Sequence, residues 1–312
     1  MFLTVCFNPV IQKTLRYPSI IPGTVNRTSV HRIDASGKGI NVTRVLTQLG
    51  KKAVHLTQLG GSMRPMFLSL CEQDDLSVEW VESSSEIRFC YTLLTDRDVT
   101  ELVEESQPVV TGTEGRLMEK FEELIKGESH LIISGTKAAG FSDTVIPAMV
   151  RKAKEKGLLV ILDIKGNDLK ESLKYEPDLV KPNLYEFAST FMPELINSND
   201  LIQDSGNENR LKEKIKSSMT DIARKYKCGI ILTNGSRKIL AIGKGNFFEI
   251  DILPVQIINS TGCGDAFTAG FAAALEDNSF DMNTLDFEAA IREGMRCGAL
   301  NAELEKPGVI KD

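Results

Sequence analysis

Short apolar runs alternate with longer stretches of helical periodicity along most of this chain. Six runs rich in Val, Ile and Leu predict strands at residues 2–7, 53–59, 130–134, 158–163, 179–181 and 229–233. Most of these runs lack a polar face, as strands covered on both sides of a sheet do. Alternating strands and helices are typical of crossover units, so the pattern predicts an α/β fold with a mostly parallel central sheet flanked by helices on both faces.

Two helices stand out between the predicted strands. Val42, Val45, Leu46 and Leu49 recur at helical spacing directly after the letters SGKG, and Gly50 follows as a stop signal. A second helix is predicted over residues 141–156, with a glycine behind it. The polar stretch 197–209 predicts a loop between two further helices.

Two segments, approximately residues 12–33 and 87–110, interrupt the alternation. The second contains IRFCYTLLTDRDVTELV, which predicts a hairpin that turns at Asp96–Asp98. Because both segments are inserted between core elements, they predict a small β-sheet lid over one end of the main sheet. We therefore expect residues 1–312 to form a single domain.

Composition removes several functional classes. The 312 residues are 42% hydrophobic with a net charge of -6, and no basic run suggests a nucleic-acid partner. The apolar runs are far shorter than the roughly 20 residues that a membrane span requires. The first residues lack a signal-peptide pattern, and the six cysteines are scattered without a metal-binding spacing. A cytoplasmic protein with reduced thiols is expected.

The segment INSTGCGDAFTAGF, residues 258–271, carries the strongest chemical signal. Its glycines allow backbone amides to face one point, and the helix that follows adds its positive N-terminal end, so the loop suits an anion. Asp265 would be unfavourable beside a polyphosphate unless it accepts a proton from an attacking hydroxyl. An acid at a helix N-terminus explains it equally well, so this segment alone leaves both interpretations open.

Other phosphate-binding loops do not fit the letters. Lys38 is followed by Gly39 and lacks the upstream glycine of a Walker loop. Phe267 occupies the third glycine position of a dinucleotide fingerprint. The SGKG turn before the first helix places Lys38 where it either reaches an anionic or hydroxylated ligand or remains in solvent.

An ordered set of motifs resembles the phosphofructokinase B group of ribokinase-like sugar kinases, in the branch of 1-phosphofructokinase and tagatose-6-phosphate kinase. The motifs are FNP at 7–9, GTVNR at 23–27, SGKGINVTRVL, QLGG at 58–61, TEL at 100–102, KPNLYE at 181–186, TNG at 233–235 and TGCGDAFTAGF. The resemblance implies a ribokinase-like fold with a lid, and ATP and Mg²⁺ as cofactors. It also implies a sugar phosphate as the small-molecule partner and a possible homodimer formed through the lid.

The resemblance also implies a role for each motif residue. Asp265 would be the general base, and the amides of Gly262, Cys263 and Gly264 would stabilise the transferring phosphoryl group. Asn183 and Glu186 would organise Mg²⁺. The acceptor would contact Asn8, Gln12, Arg27, Gly37, Lys38, Gly39, Asn41 and Arg88, and the nucleotide would contact Lys181, Asn183, Glu186, Thr233, Gly235, Thr261, Gly262, Gly264 and Asn301. Arg27, Lys38 and Arg88 would bind the existing phosphate of the acceptor, because guanidinium and ammonium groups pair well with phosphate oxygens.

Four departures from the family pattern lie on or near the acceptor side. They are Gln12 in place of an aspartate, Ser36 in place of a glycine, Ile87 in place of a threonine, and SGTK at residues 134–137. The sequence therefore predicts an ATP-dependent kinase of a phosphorylated ketohexose, with fructose 1-phosphate ahead of tagatose 6-phosphate. The alternatives are a kinase of an unphosphorylated sugar or nucleoside, and a sugar-phosphate-binding regulator with weak or no catalysis.

Overall fold

A nine-stranded sheet forms the centre of residues 1–197, 208–277 and 287–311, the part of the chain that this computed structural model describes. From one edge to the other its strands are β13 (Asn246–Ile250), β12 (Ile239–Gly243), β11 (Gly229–Leu232), β10 (Leu179–Val180), β9 (Leu159–Asp163), β8 (His130–Ser134), β1 (Phe2–Val5), β4 (Ala53–Leu59) and β5 (Ser77–Glu82).

The strands from β5 to β11 pair in parallel, and only β12 and β13 join antiparallel at one edge. The prediction of a mostly parallel sheet is confirmed. Because parallel strands end at one edge of a sheet, the residues that follow β1, β8, β9, β10 and β11 lie along a common line. Polar side chains that follow these strands are thereby brought together.

Ten helices within the described residues cover the sheet. They are α1 (Lys38–Gln48), α2 (Arg64–Gln73), α3 (Thr113–Leu124), α4 (Val145–Glu155), α5 (Gly166–Ser172), α6 (Leu184–Phe191), α7 (Pro193–Asn197), α8 (Glu208–Tyr226), α9 (Cys263–Asp277) and α10 (Phe287–Ala302), with a short 3-10 helix at Leu173–Tyr175. Alternate strand residues point to opposite faces. Thus Leu131 and Ile133 pack in one core with α3, α4 and α8, whereas Ile132 packs in another with α1, α9 and α10.

A second sheet of four strands forms the lid, in the order β3 (His31–Ser36), β2 (Val10–Arg16), β6 (Arg88–Leu94) and β7 (Val99–Val103). The predicted hairpin is confirmed: β6 and β7 pair antiparallel, and the Thr95 amide donates to the Asp98 carbonyl at 2.9 Å across the turn. The lid strands extend beyond the predicted segments, because β2 begins at Val10 and β3 ends at Ser36. Both strands therefore run directly into the core.

The predicted elements differ from the structure mainly at their ends. The strands predicted at 53–59 and 130–134 have the predicted bounds, and the other four are shorter by one or two residues. The helix predicted over 141–156 begins later, at Val145, because Ser142 and Thr144 bond to each other and Ser142 to Glu114 in a polar turn. Of the predicted loop 197–209, Asn197 ends α7 and Glu208 begins α8, while residues 198–207 lie outside the described part.

In the described ranges, none of the helices has the length and apolar character needed to cross a bilayer. All six cysteines are free, and five of them are buried.

Candidate active site

A pocket of about 130 Å³ opens beside the carboxyl ends of the central strands. It is lined by residues of the lid, of the α1 turn and of the strand ends: Cys6, Asn8, Gly37, Lys38, Arg88, Gly135, Thr136, Asp163, Ile164, Lys165 and Glu186. Five of these residues, Asn8, Gly37, Lys38, Arg88 and Glu186, are predicted site residues. The structure therefore brings together motifs that lie up to 178 positions apart in the sequence, from Asn8 to Glu186.

Three polar atoms at this pocket are buried without a hydrogen-bond partner among the described residues: Asn8 Oδ1, Arg88 Nε and Asp163 Oδ1. Asn8 Nδ2 donates to Thr136 Oγ1 at 3.2 Å, and Arg88 Nη1 donates to the Glu104 carbonyl at 3.1 Å. A buried polar atom without a partner is costly in free energy. The neutral acceptor and the cationic donor among them match a ligand that carries hydroxyl and anionic groups.

A buried carboxylate, Asp163, lies between two lysines at the end of β9. Its oxygens are 3.5 Å from Lys38 Nζ and 3.4 Å from Lys181 Nζ, and Ser134 Oγ donates to Oδ2 at 3.2 Å. Burial favours the protonated form, but the two lysines hold the pKa of Asp163 below its ordinary value. Burial also opposes the charge of Lys38, yet Asp163 and Glu186 raise its pKa on balance. Both groups are therefore charged at neutral pH.

Asn183 and Glu186 form a reciprocal capping box at the start of α6. The Glu186 amide donates to Asn183 Oδ1 at 2.8 Å, and the Asn183 amide donates to Glu186 Oε2 at 3.0 Å. The other Glu186 oxygen lies 3.6 Å from Lys38 Nζ and faces the pocket. In the described part of the chain, three or more His, Cys, Asp or Glu side chains nowhere gather as a metal site.

These residues fit Mg²⁺ bound through its waters. Glu186 Oε1 has no hydrogen-bond donor, and Asp163 Oδ1 is buried without a hydrogen bond among the described residues. Both are carboxylate oxygens of residues that line the pocket, and Mg²⁺ prefers oxygen ligands and keeps several waters. Asn183 contributes by orienting Glu186, because its own side-chain oxygen is used by the cap.

The TGCGD loop leads into α9, as the sequence predicts. Gly262 has φ +86°, and a Cβ there would lie 2.6 Å from the Gly308 nitrogen. The first turn of a helix leaves its amides without carbonyl partners, and the amides of Gly264 and Asp265 have no backbone acceptor among the described residues. The Cys263 amide makes only a long bond, 3.4 Å, to the Ser260 carbonyl. Lys181 Nζ lies 3.7 Å from the Cβ position of Gly264, which adds a positive charge beside these amides.

Asp265 lies buried in the first turn of α9, with 5% of its surface exposed. Asn41 Nδ2 donates to its Oδ2 at 2.8 Å. Burial raises the pKa of Asp265 to about 6, and nearby Lys38 partly offsets that rise. A carboxylate with a pKa close to neutrality is suited to accept a proton at physiological pH.

Residues 305–308 connect the lid to this loop. Arg16 of β2 donates to Glu305 at 2.8 Å, and Lys306 pairs with Asp34 of β3 at 3.6 Å and with Asp74. The Gly308 amide donates to Asn301 Oδ1 at 2.9 Å, and Asn301 Nδ2 donates to the Thr261 carbonyl at 3.2 Å. A second contact joins lid and loop directly, since Thr261 Oγ1 donates to Glu101 of β7 at 2.9 Å.

Several predicted ligand-binding residues have hydrogen-bond or packing partners within the protein. Gln12 is buried in the lid sheet, where Nε2 donates to Thr92 at 2.7 Å. Gly39 packs so closely that a Cβ would lie 2.5 Å from His55. The Asn41 amide is used by protein groups, and Asn301 has no exposed surface, so it supports the TGCGD loop from behind. In this conformation these four residues support the site through contacts within the protein, and their contact with acceptor or nucleotide stays a prediction.

Three other predicted residues lie away from the pocket. Arg27 is exposed in the loop between β2 and β3. Thr233 bridges to Asn183 beside β11, and Gly235 is exposed two residues later. Contacts of these residues with acceptor or nucleotide stay predictions.

Sequence reasoning missed Asp163 and Lys165, whereas Thr136 belongs to the SGTK segment that was placed on or near the acceptor side. Asp163 had a recognisable signal, because a carboxylate ends an otherwise apolar strand run, LVILD. Lys165 follows two residues later, is exposed and has no ion-pair partner among the described residues.

The profile of the pfkB family carbohydrate kinases matches residues 4–310. The chain belongs to this family. It is similar to a tagatose-6-phosphate kinase from Staphylococcus epidermidis, with 27% identity over 99% of this chain and 94% of the relative. Among solved structures, a possible 1-phosphofructokinase from Thermotoga maritima superposes with a TM-score of 0.82 at 18% identity, covering 98% of this chain and 92% of that one.

The tetrameric inhibited form of phosphofructokinase-2 from Escherichia coli gives a TM-score of 0.80 at 20% identity, covering 96% of this chain and 93% of that one. Both structural matches establish the ribokinase-like fold alone. Family membership makes this kinase a phosphotransferase with an alcohol group as acceptor, which uses ATP with Mg²⁺.

Proposed function

We propose that this kinase transfers the γ-phosphoryl group of ATP to a hydroxyl of a phosphorylated ketohexose, with fructose 1-phosphate favoured and tagatose 6-phosphate next. One observation carries the proposal: Arg88 and Lys165, two cations without carboxylate partners among the described residues, line the same pocket as Asn8 and Lys38. Such a pocket favours an acceptor that already carries an anionic group. The similarity to a tagatose-6-phosphate kinase supports the same class of acceptor.

In the proposed reaction Asp265 accepts the proton of the acceptor hydroxyl. As that proton leaves, the hydroxyl oxygen bonds to the γ-phosphorus, and the bond from the γ-phosphorus to the oxygen shared with the β-phosphate breaks. Free amides in the first turn of α9, with Lys181 beside them, would stabilise charge on the transferring group. Mg²⁺, when bound, neutralises phosphate charge, and Glu186 and Asp163 would hold its waters.

A coupled assay that measures ADP formation over a panel of acceptors tests this function. The panel contains fructose 1-phosphate, fructose 6-phosphate, tagatose 6-phosphate, the free sugars and nucleosides. We expect turnover on a phosphorylated ketohexose with a kcat/KM at least about 100-fold above that on the free sugar, because charge-assisted contacts to the phosphate are lost. Equal turnover on a free sugar, or binding of sugar phosphates without turnover, contradicts the proposal.

The Lys165→Met and Arg88→Met enzymes test the anion-binding side of the pocket. We expect each to raise the KM for the phosphorylated acceptor about 10-fold to 100-fold, because each removes a charge-assisted contact. The kcat should change little, since neither residue contacts Asp265. Steady-state kinetics with the acceptor varied at saturating ATP measures both constants.

Lys170→Met is the matched control, because Lys170 is an exposed lysine of α5 outside the pocket. Its KM should equal that of the unaltered kinase. Arg27→Met adds a test of the lid: a raised KM would mean that the loop between β2 and β3 closes on the acceptor. Unchanged KM values for both Lys165→Met and Arg88→Met would remove the anion-binding assignment.

We also propose a homodimer formed through the outer face of the lid. Glu101 contacts Thr261, so Leu102, its neighbour along β7, points to the opposite face, where it is 52% exposed. Leu102→Asp should shift the kinase to a monomer in sedimentation velocity, whereas Glu105→Lys, a charge change just outside the strand, should not. A single domain over residues 1–312 and a cytoplasmic location stay predictions.

A further inference from the structure

Arg44 of α1 is a fully buried arginine, with 2% of its surface exposed. Its guanidinium donates to four acceptors: Nε to Asp74 Oδ2 at 2.8 Å, Nη1 to Asn41 Oδ1 and to the Pro307 carbonyl at 3.1 Å each, and Nη2 to the Ala35 carbonyl at 2.5 Å. A buried guanidinium is tolerated only when its donors are satisfied. The acceptors around Arg44 come from four separate parts of the chain, so its position is strongly specified.

Asn41 lies between Arg44 and Asp265, and each end of its amide has a defined partner. Its Oδ1 accepts from Arg44 Nη1 and from Ser36 Oγ at 3.2 Å, while its Nδ2 donates to Asp265 Oδ2. A rotated amide would set its oxygen against the Asp265 carboxylate and its NH₂ group against the guanidinium. Arg44 therefore fixes which end of Asn41 faces Asp265.

We propose that Arg44 is a positioning residue for phosphoryl transfer, which holds the Asp265 carboxylate ionised and oriented through the side-chain amide of Asn41. The inference rests on the proposed role of Asp265 as the base. Arg44 itself does not line the pocket. The hydrogen-bonded series runs from Asp74, which is partly exposed, through Arg44 and Asn41 to Asp265, and these last three residues are buried.

The charged groups around Asp265 and around Arg44 define the expected effect on the pH dependence of activity. Asp265 is influenced by Lys38 of α1, Asp163 at the end of β9 and Lys181 after β10, with the thiols of Cys6 and Cys263 nearby. Arg44 faces Asp74, Lys306 and the Cys71 thiol. Burial raises the pKa of Asp265, and the Asn41 hydrogen bond opposes that rise. Without Arg44 this opposition weakens, so the pKa of Asp265 should rise further.

The test is the pH profile of kcat/KM for the acceptor in Arg44→Met and Arg44→Lys. Methionine removes every hydrogen-bond donor of the guanidinium. Lysine keeps a positive charge for Asp74 but lacks the second branch of the guanidinium, which reaches Asn41. The acid limb is the part of this profile in which kcat/KM falls as the pH is lowered. We expect the midpoint of the acid limb to rise by about one pH unit, the change expected when a hydrogen bond to a charged group is lost. The KM for ATP should stay within about twofold of the original value.

Asp74→Asn is the matched control for stability. It weakens the same ion pair and should lower the melting temperature, but Arg44 keeps its bond to Asn41, so the acid limb should not move. In an Asn41→Ala background, Arg44→Met should add no further shift, because the residue that transmits its effect is gone. Additive shifts, or an unshifted limb in both Arg44 enzymes, overturn the inference.

Two further outcomes have a defined meaning. If neither Arg44 enzyme folds, the pH profile of Asn41→Ala is the test. An unshifted acid side of that profile contradicts the inference, because Arg44 would then have no residue through which to act on Asp265. A shifted acid side supports the hydrogen-bonded series from Arg44 to Asp265. Failure of the proposed function is separate. An Asp265→Asn enzyme with normal turnover contradicts the base assignment, whereas an inactive Asp265→Asn with unshifted Arg44 enzymes contradicts only the role of Arg44.

Discussion

An Asp265→Asn enzyme will lose about 10²-fold to 10⁴-fold in kcat, the range that a general base contributes to proton transfer. The amide has nearly the shape of the carboxylate but cannot accept the proton from the acceptor hydroxyl. The KM for ATP should change much less, because Asp265 is assigned to the acceptor hydroxyl and not to the nucleotide. Initial rates from the coupled assay, with both substrates saturating, measure the loss.

Stability provides the control for this variant. The pKa of Asp265 is raised by burial to about 6, so its carboxylate costs folding free energy once the pH rises through that value. At pH 7.5 the Asp265→Asn enzyme should therefore melt at the same temperature as the unaltered kinase or higher. Low activity together with a raised melting temperature identifies a functional group that destabilises the fold. A fall in both would instead indicate damage to the structure.

The pKa of Asp265 also fixes the pH dependence of the unaltered enzyme. Below pH 6 the base becomes protonated, so kcat/KM for the acceptor should fall about tenfold per pH unit on the acid side. This limb is the reference for the Arg44 enzymes.

Gly262→Ala is the second change with a large expected effect. At φ +86° an alanine is strained, and its Cβ would lie 2.6 Å from the Gly308 nitrogen and 2.9 Å from Asn301 Oδ1. The TGCGD loop must move to relieve these contacts, which shifts the amides that stabilise the transferring group. We expect kcat to fall about 10²-fold to 10³-fold, the cost of losing one such donor.

Gly264→Ala is the control for Gly262→Ala within the same loop. Its backbone needs no positive φ, and its Cβ would meet only Lys181 Nζ at 3.7 Å, an ordinary contact. The amide is kept, so kcat should remain within a few-fold of the original value. Equal losses of kcat in the two variants would contradict the prediction that Gly262 is needed to keep the TGCGD loop in position.

The central strands were predictable from sequence because burial on both faces leaves them as continuous apolar runs. β5 (SVEWVE) and β13 (NFFEI) at the sheet edges, and β12 beside β13, were not predicted. In β5 and β13, charged or polar side chains interrupt the run, which makes such strands resemble loops. The lid hairpin was predictable because its turn is polar and lies between two apolar stretches.

The motifs of the site were predictable, but several partners within it were not. Asn41 reads as a ligand-binding residue from its motif, yet its partner Asp265 lies 224 residues away. From the sequence pattern alone, Arg44 would be placed on the solvent-facing side of the helix, next to the apolar stripe of Val42, Val45 and Leu46. Helix α1 is buried all round from Gly39 to Leu46, and no periodicity in its own sequence reveals this.

Residues 305–308 bear on any attempt to redesign acceptor choice by exchanging lids between family members. The strands β2 and β3 are tied to Glu305 and Lys306, and the next two residues pack against Arg44, Asn41 and Gly262. A transplanted lid would lose these partners and would disturb the base as well as the pocket. A chimaera that carries residues 305–308 together with its lid should therefore retain turnover that a lid-only chimaera loses.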